Sequence, residues 1–70
     1  MIKLTKYNEF INGEQCYIYV APDQIVAFED RWSDQNEMHY LCIWTTNSNC
    51  FIEVIEPIKH LLKEIRKAKQ

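Results

Sequence analysis

The feature that most constrains this chain is its last third, where a polar turn, the apolar stretch Cys50 to Ile55 and the pair Glu56-Pro57 lead into a run with helical periodicity. Proline is pre-organised for the first helical position and loses no bond there. Pro57 therefore marks a helix start with Glu56 near the cap, where a carboxylate suits the helix dipole. Ile58, Leu61, Leu62 and Ile65 recur at i, i+3, i+4 and i+7 as one apolar stripe, while Lys59, His60, Lys63, Arg66 and Lys67 point elsewhere. The pattern predicts an amphipathic helix over about 57–69, with Leu62 and Ile65 its most deeply buried residues because they lie mid-stripe.

The segment before this helix reads as short strands within 2–55. Ile2 and Leu4 alternate with Lys3 and Thr5, the period of a half-buried strand. Asn12-Gly13 is a strong hairpin signal, because both central positions of a type I′ turn need positive φ. The returning strand, Gln15 to Ala21, places Cys16, Ile18 and Val20 on one face and Tyr17 and Tyr19 on the other. Pro22-Asp23 interrupts it, and Ile25 to Glu29 resumes as a third strand. The polar run from Asp30 to Glu37 has no period and reads as a loop with Trp32 isolated in it. Met38 to Thr45 alternates again, and Thr46-Asn47-Ser48-Asn49 supplies turn chemistry before the last strand. Facing Thr45 with Cys50 puts Leu41 opposite Val54 and Ile43 opposite Ile52. The other face then carries Tyr40, Cys42, Trp44, Phe51 and Ile55 around Glu53. A sheet with two apolar faces needs both covered, by the helix, by curling into a barrel or by another subunit. The fold class expected is α+β: a small antiparallel sheet or partly open barrel of about five strands followed by one C-terminal amphipathic helix, in a single domain over 1–70.

Composition sharpens the expectation. A domain of 70 residues buries only about 60% of the surface its unfolded chain exposes. Yet 47% of this chain is hydrophobic and 13% aromatic, a surplus that self-association would hide. Charge is polarised as well. Lys59, Lys63, Arg66, Lys67 and Lys69 stand against Glu64 alone in the tail, whereas between Tyr7 and Glu56 only Arg31 opposes nine acidic residues. A basic tail and an acidic body suit electrostatic docking onto an acidic partner or a second copy.

No constellation for chemistry is expected. His39 and Cys42, three apart on a strand, project from opposite faces, and no further ligand spacing completes a zinc site. His60 reads as a solvated helix residue. Cys42 and Cys50 sit in apolar strands of an acidic body, which disfavours the thiolate. One glycine precludes a glycine-rich phosphate loop. The aromatic set Tyr17, Tyr19, Tyr40, Trp44 and Phe51 lacks the basic rim that nucleic acid requires, so nucleic acid is not an expected partner. Three cysteines are an odd number and no apolar leader precedes them, so reduced packing thiols in a cytoplasmic protein are expected, with no cofactor. No apolar run approaches the roughly 18 residues of a membrane span.

The order of these segments, MIKLT, Asn12-Gly13, a Tyr-rich second strand, APDQIVAFE, a threonine-asparagine turn and a final helix, resembles the small FlbD/SwrD-type bacterial proteins associated with flagella and swarming. This chain departs from that pattern in extra residues before Asn12, a longer segment around Trp32, Ser48-Asn49 in place of a turn glycine, and a basic helix. The resemblance implies a non-enzymatic assembly module that acts by protein–protein contact and has no catalytic residues. The surface expected to carry contact is Tyr17, Tyr19, Tyr40, Trp44 and Phe51, with Lys63, Arg66 and Lys67 on the helix and Trp44 or Phe51 at the contact itself. The alternative is an inhibitor or sequestering protein of a phage or mobile element, binding a host protein or small nucleotide.

Overall fold

The computed structural model describes residues 1–46 and 49–68. Five antiparallel strands, β1 (Ile2–Ile11), β2 (Glu14–Val20), β3 (Ile25–Ser33), β4 (Met38–Thr45) and β5 (Phe51–Val54), form one sheet in the order β2-β1-β5-β4-β3, followed by the helix α1 (Ile58–Ala68). Each strand end follows from a local cause. Asn12 and Gly13 both take positive φ, 53° and 79°, as the two-residue turn between β1 and β2 demands. A single 3₁₀ turn, Pro22–Gln24, joins β2 to β3. Gln24 is tied to Thr46 by a backbone bond of 2.8 Å and by a contact between their side chains, so the start of β3 is held to the end of β4.

Alternation along the strands sets the core. Ile2, Leu4, Val20, Leu41, Ile43 and Val54 turn to one side and meet Leu61 of α1, all of them buried. Ile18, Ile25, Phe28, Ile52, Ile58 and Ile65 pack around them. β4 and β5 adopt the expected register, Leu41 opposite Val54 and Ile43 opposite Ile52. The two halves of the sheet join where Lys6 of β1 faces Val54 of β5. β1 runs past MIKLT through an irregularity between Thr5 and Phe10, with Asn8 at φ 53°, and continues to the hairpin turn.

Several expectations need correction. The segment around Trp32 is strand: β3 extends to Ser33, Trp32 pairs with His39, and only Asp34–Glu37 form the turn. Within α1, Leu61 is the fully buried residue, whereas Leu62 is 38% exposed and Ile65 partly buried. Pro57 lies just before α1, its carbonyl accepting from His60 and Leu61. Glu56 lies just ahead of the helix start, and its carboxylate accepts bonds of 2.9 to 3.0 Å from the backbone N–H and hydroxyl of Thr5, anchoring the β5–α1 connection to β1. Cys50 precedes β5 and is exposed. His60 is half-buried. Asn47, Ser48 and Lys69, expected in the second turn and the helix end, lie outside the described residues.

Candidate interaction surface

Strand alternation sends Tyr40, Cys42 and Trp44 of β4 to the face opposite the core, with Cys42 across from Glu53 and Trp44 across from Phe51. The Trp44 and Phe51 rings lie 5.8 Å apart. β3 brings Arg31 beside Tyr40 and Glu29 beside Cys42. The Arg31 guanidinium, held at 3.0 Å by Glu29, lies 5.8 Å from the Trp44 ring and 5.6 Å from that of Phe51.

The same face is closed at its other end by Tyr7. Its ring stacks on Tyr40 with centroids 4.4 Å apart and planes 13° from parallel. The Tyr7 hydroxyl donates to Ser33 Oγ at 2.7 Å and accepts from the Asn36 amide at 2.6 Å. Tyr7 and Arg31 thus cover from within the chain much of the aromatic stretch expected to need a second layer. Beneath them Cys42 is fully buried, and that burial pushes its thiol pKa up, against the pull of Arg31 and with Glu53 and Glu29 adding to the rise.

The remaining site residues lie elsewhere. Tyr17 and Tyr19 project from β2 at 51% and 60% exposure, with the Lys3 ammonium 4.3 Å from the centre of the Tyr17 ring. β1 separates them from Phe51 on β5, and β1 and β5 together separate them from Tyr40 and Trp44 on β4, so the five aromatics do not form one patch. Lys63, Arg66 and Lys67 are exposed along α1, and Lys67 approaches Glu64 at 3.7 Å. Phe10 and Ile11, at the tip of the β1–β2 hairpin, are exposed apolar residues that the sequence reading passed over. Tyr7 and Arg31 were missed as covers, although Arg31, the one cation in an acidic stretch, was a visible signal.

A cleft of about 320 Å³ opens between Lys6, Tyr7, Phe10, Gln15, Met38 and Ile55. Lys6 is paired with Glu9 at 2.8 Å, and that bond raises the lysine pKa, so the cleft presents no uncompensated charge. His39 Nδ1 lies 3.4 Å from Asp30 Oδ1, and its ring meets the Trp32 ring edge-on, while the Cys42 side chain belongs to the other face. Among the described residues no group of three or more His, Cys, Asp or Glu is placed to hold a metal, and no helix is long and apolar enough to cross a membrane. The chain matches no family model, no curated protein and no solved structure.

Proposed function

We propose that this chain is a non-enzymatic interaction module that acts by protein–protein contact, with a second copy of itself as its first partner. The observation that supports this reading is the exposed apolar surface left on the β1–β2 hairpin after the core has closed. Phe10, Ile11, Tyr17 and Tyr19 are each more than half exposed there, at 58%, 67%, 51% and 60%. Burying such surface stabilises by about 25 cal/mol per Å², a large contribution for so short a chain. The helix fits the same reading as an amphipathic cover over a partly open barrel, Leu61 inward and Lys63, Arg66 and Lys67 outward, presenting cations to an acidic surface. The resemblance to FlbD/SwrD-type proteins favours an assembly role in the same direction.

Light scattering at tens of micromolar tests the proposal. The mass expected is a multiple of the 8.5 kDa of one chain. A single-chain mass at every concentration would contradict self-association, and contact with a different protein would then have to carry the function.

A further inference from the structure

The sheet order leaves β2 and β3 as its two open edges, each with a row of backbone donors and acceptors that no strand among the described residues takes up. The two edges are not alike. β3 carries a register irregularity between Ile25 and Ala27 and the consecutive charges Glu29, Asp30 and Arg31, devices that keep a foreign strand from adding. From Gln15 to Val20, β2 has no charge and no proline, and its outward side chains are Gln15 and two tyrosines. β2 is therefore the edge open to another strand.

The sequence of β2 selects the partner. About Ile18 it is nearly self-symmetric: Tyr17 and Tyr19 flank it on one face, Cys16 and Val20 on the other. We propose, resting on the assembly reading above, that two copies pair antiparallel through β2 with Ile18 on the two-fold axis, joining their sheets into one. In that register Tyr17 stands across from Tyr19 of the second copy and Cys16 across from its Val20, so aromatic meets aromatic and apolar meets apolar on each face. Lys3, already over the Tyr17 ring, flanks the four-tyrosine cluster.

Charge supports the same register. Centring on Ile18 brings Glu14, exposed at the head of β2, to the position of Pro22 in the second copy. Pro22 shares a shallow cleft with Met1, Glu64, Lys67 and Ala68 at the end of α1. Lys67, 3.7 Å from Glu64, is the cation of that cleft, so Glu14 arrives beside a residue of opposite sign. Glu14 and Lys67 meet twice in the dimer, once at each end of the shared ladder.

Sedimentation velocity over a concentration series tests this contact. Tyr17→Lys combined with Tyr19→Lys puts charge on the uncharged stretch from Gln15 to Val20, and the dissociation constant is expected to rise at least about tenfold. Both positions are exposed, so the thermal midpoint of the dilute protein should hold, and circular dichroism checks it. Glu14→Lys or Lys67→Glu alone should weaken the dimer about two- to fivefold, and the two together should restore it. A dimer unmoved by the tyrosine pair, or charge reversals that fail to rescue each other, overturns the β2 contact while leaving assembly through another surface intact. A wild-type chain that stays monomeric overturns both.

Discussion

Leu61 and Leu62 are adjacent leucines with different fates, and the difference predicts their energetics. Leu61 is fully buried against the sheet, so Leu61→Ala should cost about 2–5 kcal/mol, whereas the exposed Leu62 should cost about 1 kcal/mol or less on the same change. Urea midpoints of the two variants check this, and equal losses would contradict the helix orientation. Periodicity alone could not choose between them, because i+3 and i+4 both belong to the stripe and the rotation of a helix about its axis is fixed only by what it packs on. The thiols divide in the same way. Cys42 should react with a thiol reagent only on unfolding, and Cys50 at once in the folded state. A raised folded pKa also gives a sign: Cys42 stays protonated in the fold while the unfolded chain ionises, so its contribution is intact below its ordinary value of 9.0 and is lost as pH rises beyond that. Cys42→Ala should flatten the alkaline decline in stability, and an unchanged slope would assign that decline to other groups.

At the scale of elements, the connection between β5 and α1 is fastened by one carboxylate. Glu56→Ala removes three bonds to Thr5 and leaves a part-buried backbone N–H without its acceptor, for an expected loss of about 1–3 kcal/mol. Glu56→Gln keeps an acceptor and should lose less. Equal urea midpoints for wild type and Glu56→Ala would mean the tie carries no stability. The turn after β3 has a different weakness, since Glu37 holds φ 50°, a left-handed conformation that asparagine tolerates better. Glu37→Asn should raise stability by up to about 1 kcal/mol, seen as a higher urea midpoint, and a fall would contradict this. Element types were legible where one face is buried: the first half of β1, then β2, β4, β5 and α1, show their period, whereas β1 beyond Thr5 buries no residue and shows none. The extension of β3 was not, because Asp30 and Trp32 stand on the core-side face beyond the core itself and stay exposed, so no polar–apolar alternation betrays the strand. Glu56 was legible as a carboxylate beside a helix start but not as the tie to Thr5, because its partner lies 51 residues away.

For the whole molecule, the outer aromatic face and the hairpin edge reach different ends. Tyr7 and Arg31 shield Tyr40, Cys42 and Trp44 within one chain, while Tyr17 and Tyr19 keep more than half their surface beside an unpaired strand edge. Composition pointed to surplus apolar surface but could not locate it, since which aromatics are covered depends on contacts between β1, β3 and β4 that are remote in sequence. The location matters for the contact itself: Trp44→Glu, on a face with its own cover, should disturb assembly less than a lysine on β2. The most direct measurement is amide hydrogen exchange as a function of protein concentration. The β2 amides that point away from β1 should exchange freely in dilute solution and become protected as the concentration rises, with the β3 edge unchanged. Fast exchange along β2 at every concentration, or protection arising only on β3, would contradict assembly through this edge.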